Sequence, residues 1–133
     1  SGWKLKKGAM ASSAAPDDNN LVVMGASAED MSIAANYLIE QCGGQVVVCD
    51  GEIMEFLPLP VGGIVTDLEP EEVAAREKLI DKAARDLGSD LPDPMMYMFF
   101  LPITAIPDYA ITDAGPVDYV NLTTFDPIIE VVK

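Results

Sequence analysis

QVVVCDGEIMEFLPLP, residues 45–60, sets two β-rich runs on either side of Asp50-Gly51. Both central positions of a tight hairpin turn need positive φ, and Asp-Gly supplies them at little cost. Val46, Val47 and Val48 form an unbroken apolar run, the mark of a strand covered on both faces. Pro58 and Pro60 cannot donate to a ladder, so they end the second strand. A hairpin whose first strand is buried twice over requires a layer on each side.

The upstream residues offer one such layer. Ser27 is a helix-capping residue, and Asp30 stands three positions on as a short form of the capping-box acid. Met31, Ala34, Ala35, Leu38, Ile39 and Cys42 follow at three- and four-residue spacing, which predicts one apolar helix face. Gly43-Gly44 supplies the left-handed stop. Downstream, VGGIVTDL is a glycine-containing connection, and Glu69-Pro70 opens a second helix with proline at its first position. Val73, Ile80, Ala84 and Leu87 mark its buried stripe, and Gly88 stops it. Glu72 with Arg76, and Asp81 with Arg85, pair at i,i+4 along the solvated side of that helix.

The segment MMYMFFLPITAIP, residues 95–107, has two readings. The plainer one is a strand buried on both faces. The sharper one is an apolar surface that packs on another domain, for which methionine-rich patches are suited. Asp113-Ala114-Gly115-Pro116 is a turn, and Val117 to Phe125 is a last strand or extended arm. Residues 8–13 and 21–25 read as short strands. The sum is an α/β (α+β) layered sandwich, with two helices packed on a mixed sheet, in a single domain over residues 1–133. Ser1 and Gly2 carry no argument, and with no initiator methionine the chain reads as a processed piece.

Composition narrows the function classes. Eight Lys and Arg against 22 Asp and Glu give a net charge of −14, a field that repels nucleic acid and anionic lipid. Lys4, Lys6 and Lys7 are a local exception, read as a solvated edge rather than a phosphate site. No apolar run reaches membrane-span length and no signal-peptide pattern opens the chain, so a soluble, cytoplasmic protein is expected. Cys42 and Cys49 are expected to be a pair of buried, reduced thiols rather than a disulfide. The chain has no histidine, so a histidine-dependent metal centre or acid–base mechanism cannot lie wholly within it.

Local chemistry is sparse. Pro16-Asp17-Asp18-Asn19-Asn20 is a polar knot, but adjacent carboxylates diverge in extended chain and DDNN lacks the alternating oxygens calcium needs. A plain turn accounts for it. Gly62-Gly63, with Thr66 and Asp67 beyond, could let a ligand approach the backbone, or be only a tight connector into the second helix. Ser12 and Ser13 have no neighbouring base and no nucleophile-elbow context.

Taken together, GWKLKKGAMASSAAPDDNN, the helix from Ser27 to Gly44 and QVVVCDGEIMEFLPLPVGGIVTDL resemble the C-terminal domain of bacterial adenine deaminases of the amidohydrolase superfamily. The resemblance runs in order through Phe99-Phe100 and ITDAGPVD. It implies a parent hydrolase that converts adenine and water to hypoxanthine and ammonia, with a binuclear manganese or iron centre in a separate (β/α)₈ barrel. On that footing this chain is an accessory domain, not catalytic alone, with no metal ligand or cofactor of its own. Its partners would be the barrel or a second subunit, with a purine as candidate ligand and a homo-oligomer as the expected assembly. The family's pattern resembles GAxASSxAHDSHN; here Pro16 and Asn19 replace its two histidines and Asp18 the serine between them. Loop 16–20 and connector 62–67 would be the edges nearest the purine, making Ser12, Ser13, Asp17, Asn20, Thr66 and Asp67 the substrate-proximal candidates. The rival expectation is a stand-alone, non-enzymatic module for small-molecule binding or oligomerisation.

Overall fold

A computed structural model describes residues 2–15, 20–112 and 114–126, which fall into two compact units, Ser1–Leu101 and Pro102–Lys133.

The first unit is built on four strands, β1 (Ala9–Ser12), β2 (Val22–Gly25), β3 (Gly44–Cys49) and β4 (Glu52–Pro58), in the order β2-β1-β3-β4. Every pairing is antiparallel, so the sheet is not the mixed one expected from the sequence. The β3–β4 hairpin closes through Asp50 and Gly51, at φ 54° and 83°, and β1 inserts between β2 and β3, so those two parallel strands are not neighbours. A bulge opposite Val47 and Val48 leaves Met54 as the extra residue of β4.

Alternation along the two central strands feeds two cores. Ala9, Ala11, Val46 and Val48 face α1 (Ala28–Glu40), meeting Ala34 and Leu38. Met10, Val47 and Cys49 face the opposite way, onto Ile80, Ala84 and Leu87 of the second helical layer. That layer is α2 (Pro70–Asp86) with α3 (Pro94–Phe100), giving a three-layer α–β–α sandwich. The alanines of β1 matter because small side chains let α1 approach the sheet closely.

The helix α1 starts where expected, with Ser27 accepting from the Asp30 N–H at 3.2 Å. Asp30 does not complete a capping box. It is only 5% exposed, and its carboxylate accepts from the Gly51 N–H at 2.9 Å, tying the helix start to the hairpin turn. The buried stripe is also rotated from the expected one: Ile33 and Tyr37 join it, while Ile39 is 66% exposed and Cys42 lies at the surface. The left-handed stop falls one residue earlier, at Cys42 with φ 60°, where the Gly43 N–H reaches back to the Leu38 carbonyl. Both cysteines are free, but only Cys49 is buried, which corrects the expectation of two buried thiols.

The strand reading of residues 95–107 is overturned. Asp93 accepts from the Met96 N–H at 3.0 Å, Pro94 occupies the first turn, and a seven-residue helix follows. An unbroken apolar run does not distinguish buried strand from buried helix, whereas the capping residue does. The helix divides the segment between core and surface. Met95 and Met98 enter the core, and Met96, Tyr97, Phe100 and Leu101 stay exposed.

The second unit is a three-stranded antiparallel meander, β5 (Tyr109–Thr112), β6 (Gly115–Asp118) and β7 (Thr123–Thr124). The expected single arm from Val117 to Phe125 is broken at residues 119–122, because Asp118 accepts from the Asn121 backbone and side chain at 2.9 and 2.8 Å and closes a turn. Thr112 donates to the Gly115 carbonyl at 2.8 Å, and Tyr109 meets Phe125 edge to face. Asp113, part of the turn expected before β6, lies outside the described residues.

Candidate functional site

The end of β1 delivers Ser13 to a junction of three chain segments. Its Oγ accepts from the Gly44 N–H at 2.8 Å and donates to the Gly63 carbonyl at 2.5 Å. A serine hydroxyl has one proton, and the shorter contact takes it in preference to the Gly44 carbonyl at 3.3 Å. The segment carrying Gly63 is a tight turn closed by paired hydrogen bonds between Val61 and Val65, both 3.1 Å. Gly43 packs so closely that a Cβ there would lie 2.5 Å from the Gly63 Cα. The two glycine-containing connectors are therefore fastened together through Ser13.

Of the substrate-proximal candidates, the structure brings Ser13 to the 62–63 turn. Ser12 is buried, and its Oγ accepts from the Ala14 N–H at 3.1 Å. Thr66 spends its hydroxyl on the Leu68 N–H at 3.2 Å, shaping the approach to α2. Asp67 and Asn20 are exposed, and no hydrogen bond among the described residues joins Thr66, Asp67 or Asn20 to the two serines. Asp17 lies outside the described residues. Among the described residues neither serine has a basic partner, and the Ser13 proton is held by a carbonyl, so this junction has the chemistry of a positioning knot.

A second feature was not visible in the sequence. A cleft of about 290 Å³ opens between α2 and α3 at the ends of β1 and β3. Its apolar floor includes Ile80, Met95 and Phe99, and Glu77, Asp81 and Asp93 stand around it. Burial, and next the neighbouring Asp93 charge, push the Asp81 carboxyl above its ordinary range, against the pull of Arg85. Glu77, Ile80 and Asp81 share a helix face at i, i+3 and i+4. Only tertiary packing sets that face opposite Asp93 and α3.

Elsewhere the charges are accounted for locally. Lys4 meets Asp90 at 2.6 Å, which raises the lysine's pKa and lowers the aspartate's. Lys6 and Lys7 line a shallow hollow shared with Glu29, Asp30 and Asp50, an acidic setting ill suited to an anion. Burial and the adjacent Asp50 push the Cys49 thiol up, so its reactive thiolate is disfavoured.

The chain contains no histidine, and among the described residues no three Cys, Asp or Glu side chains are grouped to hold a metal ion. Among the described residues, no helix is long and apolar enough to cross a membrane.

Comparison with known proteins gives this architecture its family. The family model described as "Adenine deaminase C-terminal domain" matches residues 1–123. The chain is 78% identical over 129 residues to adenine deaminase 1 of Desulfotalea psychrophila, a match covering 97% of this chain and 22% of that protein. It is 62% identical over 131 residues to adenine deaminase 1 of Latilactobacillus sakei, covering 98% and 22%, and 61% identical over 128 residues to adenine deaminase 4 of Rhizobium meliloti, covering 96% and 21%. The chain thus spans about a fifth of the length of these curated relatives. With a match across nearly its whole length, the chain belongs to the adenine deaminase C-terminal domain family.

Proposed function

We propose that this domain serves an adenine deaminase as an accessory part of the same polypeptide, and that it does not catalyse deamination alone. The observation that carries the reading is the extent of the match: 97% of this chain against 22% of a protein named adenine deaminase 1. The parent reaction would be hydrolysis of adenine to hypoxanthine and ammonia. Its binuclear manganese or iron centre would lie in a separate barrel domain, because this chain has no histidine to contribute. The setting would be cytoplasmic and the assembly a homo-oligomer.

Within that assembly, the exposed face of α3 is the surface offered to the barrel or a second subunit. Four large apolar side chains within six residues, Met96, Tyr97, Phe100 and Leu101, form a patch of the kind that marks contact sites. The Ser13 knot holds the end of β1 beside the 62–63 turn. Ser12, Ser13, Asp17, Asn20, Thr66 and Asp67 are proposed as the domain's edge toward the purine.

Adenine turnover, followed by ammonia release with manganese or iron present, tests this on the 133-residue chain and on the full-length protein side by side. Activity confined to the longer form supports the accessory role. Activity of the short chain overturns it. In the longer form, Asp17→Ala is expected to lower turnover without loss of folding, and unchanged kinetics would remove Asp17 from the purine edge.

A further inference from the structure

Asp50-Gly51 is the one Asp-Gly step in the chain, and no Asn-Gly step occurs. Glycine has no side chain to shield its nitrogen, so an aspartate that precedes it is open to attack by the backbone. In that reaction the Gly51 nitrogen bonds to the Asp50 Cγ, and the hydroxyl of the neutral carboxyl leaves with the amide proton as water. Water then adds at the Asp50 main-chain carbonyl and opens the five-membered ring. The new peptide bond runs through Cβ and Cγ, which makes residue 50 an isoaspartate. Its lengthened backbone does not fit a two-residue hairpin turn.

Both residues of the turn are exposed, so water reaches it. Three restraints oppose ring closure. Asp50 and Gly51 are fixed in hairpin geometry, at φ 54° and 83°. The Cys49 thiol donates to the Asp50 Oδ2 at 3.3 Å. The Gly51 N–H donates to the Oδ1 of Asp30 at 2.9 Å, and Asp30 is itself buried in the first turn of α1. This last bond is charge-assisted, the strongest kind available to a backbone amide. A ring nitrogen has no proton left to donate, so closure forfeits the bond outright. A carboxylate is far too weak a base to take an amide proton, so Asp30 restrains the Gly51 nitrogen and does not activate it. We propose that Asp50 is a site of isoaspartate formation in this domain, and that Asp30, by holding the Gly51 N–H, keeps the reaction slow in the folded state. Reaction then needs the turn to open locally, and isoaspartate at residue 50 becomes a slow record of that opening.

The test ages the full-length protein near pH 7 and scores isoaspartate at residue 50 by mass spectrometry of the peptide that contains it. Aging in urea gives the unrestrained rate, and Asp50→Glu, whose longer side chain disfavours the five-membered ring, assigns the signal. Asp30→Ala removes the restraint, and Asp30→Asn keeps a neutral acceptor. Ser13→Ala loosens a different junction and controls for general destabilisation. In Asp30→Ala the rate is expected to rise about tenfold or more toward the urea value, because a hydrogen bond to a charged group is lost. Asp30→Asn is expected to fall between that rate and the unsubstituted one, and Ser13→Ala to match the unsubstituted protein. Thermal melting confirms that each variant folds, and if Asp30→Ala does not, the comparison of Asp30→Asn with the unsubstituted protein decides. An unchanged or slower rate in the Asp30 variants overturns the proposal, and so does an equal rise in Ser13→Ala. A native rate equal to that in urea overturns the restraint, and absence of isoaspartate in urea, or its persistence in Asp50→Glu, overturns the site.

Discussion

The Ser13 hydroxyl and the Gly63 carbonyl lie 2.5 Å apart across a sequence separation of 50 residues, and the same hydroxyl receives the Gly44 N–H at 2.8 Å. One side chain therefore satisfies a donor and an acceptor in two different connectors. Ser13→Ala leaves both unpaired at a half-buried site and is expected to cost about 1–3 kcal/mol. Denaturant unfolding measures the loss, and hydrogen exchange should quicken at the Val61 and Val65 amides. An unchanged midpoint with unchanged exchange would mean that the turn holds without Ser13.

Gly43 and Gly62 both have positive φ, 122° and 63°, yet their substitutions should differ. A Cβ on Gly43 would meet the Gly63 backbone at 2.5 Å, while one on Gly62 meets nothing within 4 Å. Gly43→Ala is expected to cost about 3 kcal/mol or more, and Gly62→Ala about 1 kcal/mol from backbone strain alone. Parallel urea melts decide it, and equal losses would show that the two connectors are not in close contact.

Asp30 joins the first turn of α1 to the β3–β4 turn through its 2.9 Å bond from the Gly51 N–H. Asp30→Ala should cost about 1.5–3 kcal/mol, because it removes the buried carboxylate that accepts from the Gly51 N–H. Asp30→Asn keeps an acceptor and should recover much of that. Equal losses in the two variants would assign the effect to helix-terminal charge instead.

The two thiols should behave differently. Cys42 is exposed and Cys49 is buried with its thiol pushed up, so a thiol reagent near pH 8 should label one site fast and the other only on unfolding. Cys42 also occupies a left-handed position, φ 60°, and Cys42→Gly should stabilise the fold by about 0.5–1 kcal/mol. Two fast thiols, or a destabilised glycine variant, would contradict this arrangement.

Asp81 should oppose stability at neutral pH, because its carboxyl is raised in the folded state above its unfolded value. The folded state then binds the proton more tightly, so this group's contribution improves as pH falls through the raised folded value. It levels off below the unfolded one. Asp81→Asn is accordingly expected to raise Tm at pH 7, with the advantage shrinking as pH falls into the carboxylate range. A Tm difference that stays constant with pH would detach the effect from Asp81 titration.

Much of the fold is written in local sequence. Ser27, Asp50-Gly51, Pro58, Pro70 and Gly88 each fix a boundary through backbone geometry that a neighbour cannot override, and all five act where expected. The three valines of β3 report burial on both faces, because a strand alternates sides and no residue of the run is polar. Segment 95–107 reads by itself as either a buried strand or an apolar surface, because an apolar run has no period to betray the helix that forms. The face of α1 was misplaced because Ile39 and Cys42 satisfy the spacing but not the packing.

The functional features divide in the same way. Sequence by itself determined the family, the absence of histidine and the negative charge, all of which are properties of residue identity and order. Only the tertiary structure decided that Ser13 binds two connectors, that Asp30 serves the hairpin rather than its own cap, and that Asp81 and Asp93 face one cleft. Those are relations between residues distant along the chain. They follow from how the layers close over the sheet, and no local propensity or spacing encodes them.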